Sequence, residues 1–273
     1  MEEVCGFTGG HNQESMKIFD THAHYDDDAF AGDKDFLLGQ MHKEGVEYIV
    51  NIGYSMESSE GIKEMVKQYD FVYGAVGVHP DDVEHLKEAD MERLAILSRQ
   101  DKIQAIGEIG LDYHYDEPAR EIQKRWFIRQ LALANEEKLP VVIHSRDAAQ
   151  DTLEIMKSEH NPENGGVIHC FSYGVEMARE YLNRGYFIGV GGVVTFNNGR
   201  RLKEVVEYAP LDRIVLETDA PYLAPTPFRG KRNCSLYLSY VAEEIAQIKQ
   251  IPVDEVYETT FKNGLALYRM ERK

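Results

Sequence analysis

Eight short runs rich in Val, Ile, Gly and aromatic residues recur along the chain, each followed by a stretch with helical character. They read "KIFDTHAH", "YIVNIGY", "FVYGAVGVHP", "IQAIGEIGLD", "PVVIHSR", "GGVIHCFS", "YFIGVGGVV" and "RIVLETDAPY". Apolar runs of this length, alternating with helices, predict a parallel sheet with crossover helices rather than hairpins. Between the runs, residues 33–44 end at Gly45, and Ser55 is placed to cap a helix over 56–69. Pro118 suits the first turn of a long helix in which Phe127, Leu131 and Ala134 repeat at helical spacing. Gly185 closes a helix that starts near Val175, and two more helical segments, 235–249 and 254–268, follow the last run. Eight such units close more readily into a (β/α)8 barrel than spread into an open sheet, and 273 residues is an ordinary length for one.

No linker or low-complexity tract divides the chain, so residues 16–273 are expected to form a single barrel domain. Residues 1–15, acidic and lacking an apolar segment, are expected to be a disordered or extra N-terminal arm rather than a secretory signal, and His11 within them a bystander. The longest apolar stretches fall short of a membrane helix, which needs roughly 20 residues. Three cysteines without CxxC spacing argue against a disulfide framework and for a reducing, cytoplasmic setting. No obligate protein partner is evident.

The polar residues at the ends of these runs carry the chemistry. Asp20, His22 and His24 alternate in "FDTHAH", which in a regular strand puts all three on one face. His79 ends the third run, Glu108 lies in the fourth, His144 in the fifth and His169 in the sixth, while Glu217 and Asp219 end the eighth. The carboxyl ends of barrel strands are where such enzymes place their active sites. One strand-end histidine alone reads as a hydrogen-bonded core residue; five of the ten, converging with three carboxylates, read as a metal centre. Imidazole with carboxylate suits Zn, Mn, Fe or Ni, whereas Mg leans on oxygen ligands. Two such cations around one water do hydrolytic chemistry. "GVGGVV" lacks the third glycine of a dinucleotide-binding loop, no G-x-S-x-G elbow is present, and Ser172 reads as polar lining. Cys170 follows His169 directly, so alternation turns it away from the interior.

"FDTHAH", "GVHP", "IGEIGLDY", "VVIHSRDA", "HCFS", "GVGGVVTF", "LETDAPYLAP" and "RGKRN" stand in the order and spacing of the TatD family of metal-dependent hydrolases, which the chain resembles from Lys17 onward. The resemblance implies a TIM barrel of the amidohydrolase-like kind holding two divalent metal ions (Zn, Mn, Mg, Fe or Ni). By motif, His22, His24, Glu108 and Asp219 would hold one ion; Glu108, as a bridge, His144 and His169 would hold the other. Glu108 stands where many amidohydrolases carry a carboxylated lysine.

It also implies a deoxyribonuclease, a 3′-to-5′ exonuclease acting on single-stranded DNA or 3′ ends through a two-metal-activated water. RNA or tRNA is the other candidate substrate, since a D-aminoacyl-tRNA deacylase or other ester or amide hydrolase would use the same site. Beside Glu108, the catalytic residues expected are Asp219, accepting the water's proton, and Glu217, orienting from the same strand face. A net charge of −17 repels nucleic acid at long range, so phosphate needs local cations. Arg229, Lys231 and Arg232 in "PFRGKRN" supply them, His79 is placed to bond a phosphate oxygen, and Tyr113 to wall the pocket or stack on a base. The family commonly follows "RGKRN" with an acid and a proline, whereas this chain continues "CSLYL".

Overall fold

A computed structural model describes residues 17–270; the proposed N-terminal arm, His11 and Cys5 lie outside them. All eight apolar runs form strands: β1 Ile18–Ala23, β2 Val46–Ile52, β3 Val72–Val76, β4 Ile103–Asp112, β5 Val141–Arg146, β6 Gly166–Ile168, β7 Phe187–Val190 and β8 Ile214–Leu216. They pair in chain order, each parallel to the next. Helices α1 Lys34–Lys43, α2 Met56–Gln68, α3 Glu88–Ser98, α4 Arg120–Glu137, α5 Ala149–Glu159, α6 Val175–Leu182 and α7 Arg200–Tyr208 cross over between them. Two more, α8 Leu238–Lys249 and α9 Val253–Leu267, follow β8.

Local signals set most of the boundaries. The Ser55 hydroxyl accepts the Ser58 N–H at 3.0 Å and starts α2, while Gly45, at φ 101°, turns the chain after α1 in a conformation that glycine adopts without steric cost. Pro118 falls outside its helix: Ala119 is the residue before the first turn of α4, and the Gln123 side chain reaches back to the Pro118 carbonyl. Cys170 is a free thiol. No helix among the described residues is long and apolar enough to cross a membrane.

Phe19, Val50, Ala75, Ala105, Val142, Val167, Phe187 and Val215, one from each strand, are buried together with Phe261, Leu265, Leu267 and Tyr268 of the C-terminal segment. This is the barrel interior, closed at one end by α9. Burying each large apolar side chain contributes roughly 1.5–3 kcal/mol. The approach of α9 to β1 requires Gly264, where an added Cβ would stand 2.6 Å from the Phe19 ring. The Tyr268 hydroxyl donates to the Thr21 carbonyl at 2.7 Å, tying the chain's end to its first strand.

The seam between β1 and β8 closes just beyond the last residues of β8. The Asp219 N–H donates to the His22 carbonyl at 2.9 Å, and the His24 N–H to the Ala220 carbonyl at 2.8 Å. Asp20 fastens the same seam from its side chain. It accepts from the Thr218 N–H and hydroxyl at 3.0 and 2.6 Å and from the Ser235 hydroxyl at 2.7 Å. Burial pushes its carboxyl up to about 6 against these bonds.

Candidate metal centre

The expectation that Asp20, His22 and His24 share a face holds for the histidines only. The register of β1 shifts between Asp20 and Ala23, so Asp20 turns to the seam while both imidazoles turn to the open end of the barrel. A second irregularity, in β4 between Ile106 and Ile109, lies where Glu108 enters the same space. His144 comes from β5, His169 from the turn after β6, and Asp219 from the seam, where it takes a left-handed backbone (φ 58°) that Asp tolerates better than most residues.

Four donor atoms converge. The His22 and His24 Nε2 atoms stand 3.1 Å apart, and Asp219 Oδ1 lies 3.6 and 3.3 Å from them. Glu108 Oε2 lies 3.3 Å from His22 Nε2 and 3.7 Å from His24 Nε2. Ligands bound tetrahedrally at zinc-like distances are separated by roughly 3.4 Å, so these spacings fit the edges of a coordination shell. The tautomers agree. His24 Nδ1 is 2.9 Å from the Ile52 carbonyl, a bond that only an N–H can make, which leaves its Nε2 lone pair facing the cluster.

The other oxygen of Glu108 serves the second side. Oε1 is 2.8 Å from His144 Nδ1 and 3.7 Å from His169 Nε2. His144 Nε2 meets Asp112 Oδ2 at 2.9 Å. In a neutral His144 that donates to Asp112, the Nδ1 lone pair would face a carboxylate oxygen, an arrangement stable only with a proton or another cation between them. His169 is braced from behind, its Nδ1 3.2 Å from Glu217 Oε1 without hydrogen-bond alignment, and Glu217 Oε1 also accepts the Cys170 N–H at 2.5 Å. The residues therefore fit divalent cations by donor type, spacing and orphaned lone pairs.

Protons hold this cluster together when no cation does. Burial alone would lower His24, His144 and His169, yet Asp219 raises the first to about 9, Asp112 and Glu108 the second to about 9, and Glu217 and Glu108 the third to about 10. Burial and the facing His169 lower His22. Burial would raise Glu108, but the facing His169, His22 and His144 hold it well below the carboxylate range; Asp219 is likewise held down by His24 and His169 against its burial.

The donors floor a cavity of about 770 Å³, on whose wall stand His79, Arg146, Tyr54 and Tyr222. His79 Nδ1 accepts the Asp81 N–H at 3.2 Å, and burial beside His144 lowers this imidazole to about 3. Its proton is thus on Nε2, 3.8 Å from Glu108 Oε1, as a donor into the cavity. Several sequence expectations meet a different arrangement. Arg232 is engaged by Asp33 through two bonds of 2.8 and 2.6 Å, Arg229 lies 4.3 Å over the Phe196 ring, and neither they nor Lys231 line the cavity. Tyr113 does not line it either: its hydroxyl donates to Asp151 at 2.7 Å and Arg120 covers its ring. Cys170 does line it, because a left-handed backbone (φ 45°) just past β6 breaks the alternation. The "CSLYL" departure leaves its loop tied, through Ser235 to Asp20 and through Asn233 to the Thr218 and Tyr222 carbonyls.

Two residues of this site lay unread in the motifs. Asp112 ends β4 four residues after Glu108, and Arg146 follows His144 by two, the spacing that shares a strand face.

A family model described as TatD related DNase matches residues 19–269. YabD of Bacillus subtilis (strain 168), named an uncharacterized metal-dependent hydrolase, is 42% identical over 253 residues, covering 93% of this chain and 99% of that protein. The crystal structure of YjjV, a TatD homolog from Escherichia coli K12, superposes with a TM-score of 0.88 at 31% identity, over 93% of this chain and 98% of that one. An uncharacterized amidohydrolase from Saccharomyces cerevisiae, at 21% identity and a TM-score of 0.82 over 93% of this chain and 100% of that one, shares the fold. With a converging set of imidazoles and carboxylates at the rim of a TIM barrel, and relatives matched almost end to end, the chain belongs to the TatD family of metal-dependent hydrolases.

Proposed function

We propose that the protein is a deoxyribonuclease that removes nucleotides from the 3′ end of single-stranded DNA, with two divalent cations held by His22, His24, Glu108, His144, His169 and Asp219. The observation that carries this reading is the cluster in which the His22 and His24 Nε2 atoms stand 3.1 Å apart, with Asp219 and Glu108 oxygens each 3.3–3.7 Å from both, at a cavity that Arg146 lines. The family's description as DNase supports the choice of substrate. Cations bound there would acidify a water and neutralise charge on phosphoryl oxygens.

The remaining work falls to the chain's own groups. Glu108 serves both halves of the centre, one oxygen to each. Asp219, whose side chain is 18% exposed against 5% for Glu108, is the more accessible of the two at the cavity and would take the water's proton. His79 Nε2–H donates to a phosphoryl oxygen, and its low affinity for protons keeps it a neutral donor across the working pH range. Asp112 fixes the ring of His144, and Glu217 that of His169. Arg146 draws the scissile phosphate by a bidentate grip that a lysine could not make.

The test is a panel of divalent metals with oligonucleotides labelled at the 3′ or the 5′ end, beside a D-aminoacyl-tRNA control. Stepwise metal-dependent release from the 3′ end supports the reading. Deacylation of the tRNA with intact oligonucleotides would replace it by the carbonyl-hydrolase alternative.

A further inference from the structure

The cavity does not end at its rim. A second groove, of about 570 Å³, shares Ser172 and Val193 with it and continues over the first turn of α7, where Arg200 and Arg201 line it with Asn198. We propose that this groove is a track for the substrate strand, in which Arg200 and Arg201 hold backbone phosphates upstream of the bond being cut. The inference rests on the nuclease reading above and adds to it where the rest of the strand lies.

Charge around the mouth is divided by sector. Asp27, after β1, and Asp81 and Asp82, after β3, line one side of the cavity. Arg146, at the end of β5, and the α7 arginines beyond β7 occupy the other, with Glu204 the one acid among the described residues lining the groove beside them. Against a net charge of −17, a polyanion is turned away from the first sector and held only by the second. The acidic side offers Tyr222 and Leu223 at the surface, faces for a base and not for a phosphate.

Both arginines are available. The Arg200 side chain is 88% exposed, and the one bond recorded for it runs from Nε to Glu204 in the same helix at 2.8 Å, leaving its terminal N–H groups open. Arg201 is exposed and makes no ion pair among the described residues. Guanidinium groups grip phosphate oxygens through paired hydrogen bonds, and the contact carries no base preference.

The test compares the metal-loaded parent with Arg200→Ala/Arg201→Ala and Arg200→Lys/Arg201→Lys on two substrates, a single-stranded 12-mer and a dinucleotide too short to reach the groove. Removing two phosphate contacts should raise KM for the 12-mer roughly tenfold at low salt and flatten its logarithmic salt dependence by about 1.4, at roughly 0.7 per contact on a single strand. The value of kcat and the dinucleotide kinetics should stay within twofold, and the lysine pair should restore most of the salt slope. An unchanged KM and slope for the 12-mer, or an equal loss on both substrates, overturns the track while leaving the nuclease reading intact. A parent that cuts neither substrate overturns both.

Discussion

Gly189 on β7 lies so close to the Glu217 carboxylate that an added Cβ would stand 2.4 Å from Oε2, 2.6 Å from Cδ and 2.7 Å from Oε1. Ordinary van der Waals contact begins at 3.4 Å, so Gly189→Ala must displace the carboxylate by about 1 Å. An exposed glutamate would swing aside. Glu217 is 1% exposed, accepts the Cys170 N–H and stands 3.2 Å from His169 Nδ1, so the shift takes both contacts out of range. Loss of a hydrogen bond to a buried charge costs about 1.5–3 kcal/mol, which for a chain of this size is a fall in Tm of about 3–12 °C. The effect on the centre should be larger, because His169 loses the group that orients it and such losses weaken metal binding about 10–100-fold. Chelator-competition titration with Zn or Mn, beside thermal unfolding of both metal-free proteins, reads the two effects separately. A variant that unfolds earlier yet binds metal within twofold of the parent would refute the claim that Glu217 positions His169.

Glu108→Ala should cut hydrolysis by roughly 10³-fold with the circular dichroism of the parent, because its two oxygens face different imidazoles, one His22 and the other His144. Chelation should abolish activity and lower the Tm, and added Mn or Zn should restore both, as read by a melting curve taken beside each assay. His160, buried against the Tyr186 hydroxyl with Nε2 unpartnered, is lowered by burial to about 4 from 6.5. Between those values the unfolded chain binds a proton that the folded one refuses, so stability falls as pH drops from 6.5 to 4, by about 3 kcal/mol in all; urea unfolding at several pH values should show that loss in the parent and its absence in His160→Gln. Arg232→Ala should lower stability by about 1 kcal/mol through its partly exposed pair with Asp33, with KM for DNA unchanged in steady-state assays.

The eight strands were legible because a strand buried on both faces has to be apolar throughout, and polar residues then stand out at its ends. His22, His24, Glu108, His144, His169 and Asp219, singled out by that contrast and by motif, are brought together at one end of the barrel. Regular alternation was the weaker guide. It misplaced Asp20 and Cys170, since the phase of side chains changes wherever register shifts or a residue turns left-handed, and neither event is written in a hydropathy pattern. The basic loop differs from the expectation for another reason. An arginine's partner is chosen by competition in space, and Asp33, far away in sequence, reaches Arg232 before any substrate can. Arg146, two residues past a histidine already identified, was recoverable from the same face rule.

The seam has a consequence for how the molecule comes to exist on a ribosome. Its first strand holds two imidazoles and its last segment brings the acid that completes their set, joined by the Asp219 and His24 backbone bonds. A nascent chain halted anywhere before Asp219 would carry most of the donors and no finished cluster, so a truncated product would lack the assembled site.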